Sequence, residues 1–248
     1  MHYLAVIIEM CHQTVTYVVG FIKGGITVLN NEIFAVVDHT LLSPTATWAD
    51  IHRLCEESFG YKTASVCIPP SFVSKVKETY GNAINICTVI GFPLGYNTTY
   101  AKLAEAKDAL KNGADEFDMV INLNRVKEGN FAAVTEEISI LKEAVGEKIL
   151  KVIIECCYLT DEEKIALCEC VTAAGADYIK TSTGFGTGGA TIEDIKLFKK
   201  YIGSNVKIKA AGGMKTREDF VAFIDEGCAR LGTSSAVKVL TGGVSSGY

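Results

Sequence analysis

The chain has 248 residues, is 48% hydrophobic and carries a formal net charge of −5. That length suits one sizeable domain with a real core, and α/β barrels of this size are routine. The acidic balance leaves no basic footprint for nucleic acid, yet it permits a local anion site, because binding depends on the site and not on the average.

Residues 1–22 are largely apolar, with Glu9 the only charged side chain among them. A signal peptide needs a basic start and a small-residue cleavage site. His2 is a poor basic start, and Glu9, His12 and Gln13 interrupt the apolar run before Lys23-Gly24-Gly25 ends it. We therefore expect 1–32 to be an N-terminal extension packed against the domain or poorly ordered, and not a membrane or targeting segment.

From Ile33 onward a short apolar strand alternates with a helix-length stretch. The predicted strands are 35–38, 64–68, 84–90, 116–121, 149–155, 178–181, 206–210 and 229–232. The predicted helices are 47–59, 98–112, 130–145, 160–174, 191–202 and 216–226. Thr47 is placed to cap the first of these helices, which should end at Gly60. Gly81, Gly146, Gly175, Gly203 and Gly227 sit where glycines follow helix ends. This alternation predicts parallel strands with crossover helices. Eight such units predict a closed (β/α)8 TIM barrel over 33–240, with 241–248 as a flexible C-terminal tail.

The nine cysteines are scattered, with no Cys-x-x-Cys. Cys156-Cys157 and Cys168-x-Cys170 lack zinc-site partners, so all are read as reduced thiols in a cytoplasmic protein. The four histidines, His2, His12, His39 and His52, form no ligand pattern, so no catalytic zinc is expected.

Strand residues alternate between barrel interior and helix layer. Leu150, Val152 and Ile154 oppose Lys151, Ile153 and Glu155. Phe117, Met119 and Ile121 oppose Glu116, Asp118 and Val120. Val206 and Ile208 oppose Lys207 and Lys209. If the apolar faces meet the helices, then Asp118, Lys151, Lys180 and Lys209 point inward, together with Asp38 and Cys67. A purely structural barrel fills these layers with Val, Ile and Leu. A single interior charge can sit in a structural salt bridge; several argue for a site in the barrel mouth.

The stretch Tyr178-Ile179-Lys180-Thr181-Ser182-Thr183-Gly184-Phe185-Gly186 runs from a strand into a loop of small residues. A lone strand-end lysine is ordinarily a surface residue. Here Lys209 recurs one unit later, and two lysines facing one cavity can make an amine nucleophile. An amine attacks a carbonyl only when neutral. A second ammonium roughly 5 Å away costs about 3 kcal/mol at an effective dielectric near 20. Asp118 opposes that effect, so its expected work is proton handling and holding the Lys209 ammonium. The three residues suit Schiff-base chemistry and require no metal or organic cofactor.

Gly212-Gly213 follows the seventh strand, and Gly232-Thr233-Ser234-Ser235 follows the eighth. Barrels place phosphate at these loops, where backbone N–H groups point at the anion. Gly184 is expected on the opposite side of such a site. Each signal alone also fits an ordinary turn or cap.

Asp38-His39-Thr40-Leu41-Leu42, Gly113-Ala114-Asp115-Glu116-Phe117-Asp118-Met119-Val120, Leu150-Lys151-Val152-Ile153-Ile154-Glu155, Ile179-Lys180-Thr181-Ser182-Thr183-Gly184-Phe185 and Lys209-Ala210-Ala211-Gly212-Gly213 resemble the deoxyribose-phosphate aldolase family in order and spacing. The resemblance runs from about Ile33 to Leu240. It implies a class I aldolase that cleaves 2-deoxyribose 5-phosphate to glyceraldehyde 3-phosphate and acetaldehyde. It makes Lys180 the Schiff-base lysine, Asp118 the proton donor and acceptor, and Lys209 the activating lysine. It places phosphate near Gly184, Gly212, Gly213, Gly232, Ser234 and Ser235, with Asp38, Lys151 and Cys67 in support. Two departures stand out. The Asp-His-Thr motif begins later than is usual in the family, which leaves the N-terminal segment outside the resemblance. The terminal Tyr248 resembles family members whose last tyrosine folds back to assist proton transfer. The expected partner is a small phosphosugar, with no nucleic acid and no membrane; a homodimer is one assembly open to the chain. Another Schiff-base aldolase or a transaldolase acting on a different phosphosugar is the alternative reading.

Overall fold

The structure is a computed structural model, and it describes residues 28–242. Eight parallel strands close into a barrel in sequence order, with β1 pairing both β2 and β8. They are β1 Val37–Thr40, β2 Ser65–Ile68, β3 Ile86–Ile90, β4 Glu116–Val120, β5 Ile149–Ile153, β6 Tyr178–Lys180, β7 Lys207–Ala211 and β8 Arg230–Thr233. The helices are α1 Asn30–Phe34, α2 Trp48–Tyr61, α3 Val73–Tyr80, α4 Thr99–Lys111, α5 Leu123–Lys127, α6 Phe131–Val145, α7 Asp161–Ala173, α8 Ile192–Tyr201, α9 Arg217–Asp225 and α10 Ala236–Leu240. This is the (β/α)8 barrel that the alternation predicts.

Threonine starts five of the crossover helices. Thr47, Thr98, Thr160, Thr191 and Thr216 each accept a hydrogen bond from a backbone N–H of the first turn. Such caps satisfy amides that have no partner within the helix. Gly60 does not end α2 as expected: the helix runs on to Tyr61, and Lys62 takes the left-handed conformation at φ 56°. Gly203 is also no left-handed cap. A Cβ there would lie 2.4 Å from Thr172 Cγ2, so the position is small because α7 lies against it.

The largest boundary error is at β1. The predicted strand 35–38 slides to 37–40, because Asn30–Phe34 forms a helical turn that runs on through Ala35 and Val36. Ile33 and Phe34 are buried by that turn. Arg217 donates to Val28 O and to Asn30 Oδ1, at 3.0 Å for the latter, and the Asn30 side-chain amide donates to Leu240 O at 3.0 Å. The part of the expected extension that is described therefore packs on the barrel; residues 1–27 lie outside the described residues.

The main core lies between the barrel's outer face and the helices, and Phe117, Met119, Leu150, Val152, Ile179 and Ile208 belong to it. A smaller cluster of Leu42, Cys67, Cys87 and Val89, with Phe92 packed on it, stands apart. The alternation of strand side chains assigns its strand members to the inner face, as it does for the interior charges. No helix among the described residues is long and apolar enough to cross a membrane.

Candidate active site

Parallel pairing puts the interior charges side by side. Asp118 is opposite Lys151 across β4 and β5, and Lys180 is opposite Lys209 across β6 and β7. Each pair shares one side of the sheet, and closure turns that side inward. All six residues expected inside, Asp38, Cys67, Asp118, Lys151, Lys180 and Lys209, are at most 3% exposed.

Asp118 is the hub. Its Oδ2 accepts from Lys180 Nζ at 2.8 Å and from Lys209 Nζ at 2.6 Å. The two amines are therefore no more than about 5.4 Å apart. Its Oδ1 accepts from Lys151 Nζ at 2.9 Å. Burial pushes the Asp118 carboxyl up, but Lys151, Lys180 and Lys209 overwhelm that effect and hold it well below the usual carboxylate range. Lys209 also donates to Asp38 at 2.5 Å. Burial disfavours the Lys209 ammonium; Asp118 and Asp38 outweigh it and keep this lysine charged.

A lower tier completes the network. Arg230 meets Asp38 at 2.5 Å and Glu116 at 2.8 Å, and Lys151 meets Glu116 at 2.6 Å. Ser65 Oγ donates to Asp38 at 2.7 Å. Burial opposes the Asp38 charge, yet Lys151, Lys209 and Arg230 hold its carboxyl far below the ordinary value. Four cations, Lys151, Lys180, Lys209 and Arg230, face Asp38, Glu116 and Asp118, and the buried Glu155 carboxylate also feels the Lys180 charge. Among the described residues Lys180 has one carboxylate contact within 4.0 Å, to Asp118, on an oxygen it shares with Lys209.

Lys180 is also the lysine that reaches the open cleft. That cleft is lined by Thr40, Leu42, Lys180, Thr183, Gly184, Ala211, Gly212, Gly213, Met214, Lys215, Gly232, Thr233, Ser234 and Ser235. Every residue expected to hold phosphate lies in this wall, next to the amine. Thr233 Oγ1 accepts from Ser235 N at 3.1 Å, which orders the turn before α10. Lys209, Asp118, Lys151 and Asp38 lie beneath it and do not line it. Tyr248 lies outside the described residues.

Cys67 sits among the interior groups and not on the cleft wall. A hydrogen bond from Cys87 lowers its thiol, against burial. Cys67, Cys87 and Asp118 bring three possible metal-ligating atoms within 4.8 Å of one another. Lys151 already donates to Cys87 Sγ at 3.2 Å and to Asp118 at 2.9 Å, so protein cations occupy that donor set.

Several site residues escaped the sequence reading. Arg230 and Glu116 follow the same inward alternation and were within its reach. Lys215 needed the three-dimensional path of the loop after β7. Glu155, expected at the end of a strand, leaves it at φ 54° and ψ 65°. It accepts from Thr183 N at 3.1 Å and, through its other oxygen, from the Thr183 hydroxyl.

The DeoC/LacD family aldolase profile matches residues 32–248. The chain is 66% identical to a deoxyribose-phosphate aldolase of Clostridium botulinum (strain Alaska E43 / Type E3), over 88% of this chain and 99% of that one. It is 57% identical to a deoxyribose-phosphate aldolase of Clostridioides difficile (strain 630), over 84% and 95%. Among solved structures it resembles the deoxyribose phosphate aldolase of Aeropyrum pernix, described as a tetramer. That match has a TM-score of 0.78 and 32% identity, and it covers 86% of this chain and 91% of the other.

Proposed function

This chain belongs to the DeoC/LacD family of aldolases, and we propose that it cleaves 2-deoxy-D-ribose 5-phosphate reversibly through a Schiff base on Lys180. One observation carries the mechanism: two lysine amines share a single buried carboxylate oxygen, and only one of them lines the cleft.

In the cleavage direction the neutral Lys180 amine adds to C1 of the open-chain sugar phosphate. The carbinolamine then loses water to give an iminium. The C2–C3 bond breaks, its electron pair passes into the iminium, and C3 leaves as the aldehyde of glyceraldehyde 3-phosphate. C2 becomes the enamine methylene. Protonation at C2 and hydrolysis release acetaldehyde and return the amine. Asp118 with a bound water is the proton relay. Its carboxylate gains basicity when Lys180 carries no charge, as in the carbinolamine, because one of three surrounding cations is then gone. Lys209, held charged between Asp38 and Asp118, is the activating lysine of this reading and lies within about 5.4 Å of the Lys180 amine. Lys151 fixes the Asp118 carboxylate, Asp38 holds the Lys209 ammonium, and the reaction as written needs no metal.

The phosphate is assigned to Gly184, Gly212, Gly213, Gly232, Ser234 and Ser235, with Lys215 adding a cation at the rim. Leu42, Cys67, Val89 and Phe92 form an apolar group on the interior side. Only Leu42 of these lines the cleft, so the preference for a 2-deoxy sugar over a transaldolase-type substrate rests on the relatives named deoxyribose-phosphate aldolase at 66% and 57% identity. Rates with matched 2-deoxy and 2-hydroxy pentose 5-phosphates separate the two readings. A cytoplasmic setting, deoxyribonucleoside breakdown as the source of the sugar, and a homodimer belong to the same proposal.

The test is borohydride reduction in the presence of acetaldehyde, followed by peptide mapping. The expected product is an ethyl group on Lys180. Modification of Lys209 instead reverses the two roles, and no modification removes the mechanism. Deletion of Tyr248 should slow proton exchange at the acetaldehyde methyl without loss of fold; unchanged exchange excludes the tail.

A further inference from the structure

Glu155 is not among the residues that the proposed reaction uses, yet both its backbone and its carboxylate are tightly held. It is 3% exposed and has a left-handed backbone, a conformation uncommon for any residue but glycine. Strained positions of this kind persist where the surroundings over-determine them, and they cluster at functional sites. Its two oxygens take the backbone N–H of Thr183, at 3.1 Å, and the Thr183 hydroxyl. Thr183 Oγ1 in turn accepts from Phe185 N at 3.0 Å.

The contact continues along the loop. A Cβ on Gly186 would lie 3.2 Å from Glu155 Oε1 and 2.9 Å from Cys157 Sγ, so the main chain rests directly on that carboxylate. Farther on, a Cβ on Gly189 would lie 2.6 Å from the backbone of Gly212 and of Gly213, and Ala190 N donates to Ala211 O at 3.1 Å. One carboxylate at the end of β5 therefore fixes the loop 183–189, and that loop abuts the opposite wall at Gly212-Gly213. Burial raises the Glu155 carboxyl, against the lowering effects of the Thr183 bonds and of the Lys180 charge, so the contacts are kept at the cost of a buried charge.

We propose that Glu155 is a positioning residue that acts through Thr183 to set the width of the cleft between Gly184 and Gly212-Gly213 for a phosphate monoester. The proposal rests on the reading that phosphate binds in this cleft. It does not depend on Lys180 forming an imine.

Glycerol 3-phosphate is the probe, with binding measured by calorimetry on wild type, Glu155→Gly and Glu155→Gln. Glycine accepts the left-handed backbone while deleting the carboxylate. Glutamine keeps an acceptor for Thr183 N and turns a donor toward Thr183 Oγ1. Loss of two hydrogen bonds to a charged group should weaken binding at least about tenfold in Glu155→Gly. Glu155→Gln should stay within about threefold of wild type, since both contacts survive. Acetaldehyde trapping on Lys180 should change less than about twofold in both variants, because that small aldehyde has no phosphate to place. KM for the 5-phosphate sugar should rise with little change in kcat.

Unweakened binding in Glu155→Gly, equal weakening in Glu155→Gln, or no binding by wild type overturns the proposal. If Glu155→Gly does not fold, Thr183→Val must reproduce the weakening, and its failure to do so is equally decisive. Wild-type binding of glycerol 3-phosphate without an adduct on Lys180 discards the aldolase mechanism and leaves the role of Glu155 intact.

Discussion

Replacement of Asp118 by Asn removes the counter-ion of three buried lysines and leaves their packing in place. Lys151 keeps Glu116 and Asp38, and Lys209 keeps Asp38, but Lys180 loses its one close carboxylate. Breaking a buried pair from one side typically costs about 3–5 kcal/mol. The cost has a ceiling, because an unpaired lysine escapes by giving up its proton. At pH 7 that release costs about 1.36 kcal/mol for each of the roughly three and a half units below an ordinary lysine, or about 4.8 kcal/mol. At pH 9 the ceiling falls to about 2 kcal/mol. The direction follows from linkage. In the variant the folded chain binds fewer protons than the unfolded one, so its deficit shrinks as pH rises toward the unfolded lysine value. Urea unfolding of both proteins at pH 7 and pH 9 should show a deficit of about 3–5 kcal/mol falling to about 2 kcal/mol. A deficit below about 1 kcal/mol at pH 7, or one that is the same at both pH values, would refute the charge accounting at the hub.

Other outcomes follow from the same geometry. In wild type, Asp38 and Asp118 are depressed on folding, so their stabilisation is complete above about pH 4 and is lost as pH falls through their folded values. Urea midpoints should therefore hold between pH 5 and 8 and drop steeply below about pH 4, more than in Asp118→Asn. Gly189→Ala places a Cβ 2.6 Å from backbone atoms of Gly212 and Gly213. That should raise KM for the 5-phosphate substrate at least about tenfold while acetaldehyde still traps on Lys180. Lys102 is fully buried and donates to Glu137 and to Val120 O, both at 2.8 Å. Lys102→Met should cost about 3 kcal/mol in urea unfolding, because Glu137 loses its buried partner, with trapping on Lys180 unaltered.

The barrel could be read from the chain because its signals are periodic. Strand alternation, threonine starts and glycine ends recur in unit after unit, and the inward face of each strand follows from its neighbour. The same alternation located every interior charge that was named. What it could not supply was the pairing. Neighbours such as Asp118 and Lys151 follow from strand order, but the Lys209–Asp38 contact spans the barrel closure and depends on shear. Asp118 was expected to hold Lys209; that it also holds Lys180, two strands away, needed coordinates. Glu155 was misplaced for a different reason. Its backbone conformation is imposed by the loop that it anchors, and local propensity gives a glutamate no reason to leave a strand with positive φ. The shift at β1 likewise reflects packing of Ile33 and Phe34, which outweighs the extended preference of Val36.

Gly212, Gly213 and Gly232 make much of one side of the cleft from main chain, and Gly189 lies directly behind that wall. A surface of this composition resists gradual evolutionary change. A glycine has no side chain to trim, and any replacement adds atoms where backbone already meets backbone. Recognition on that side is therefore inherited or lost as a block. New substrates can be explored only where the lining carries side chains, as at Leu42, Met214 and Lys215, which can be shortened, lengthened or recharged one at a time.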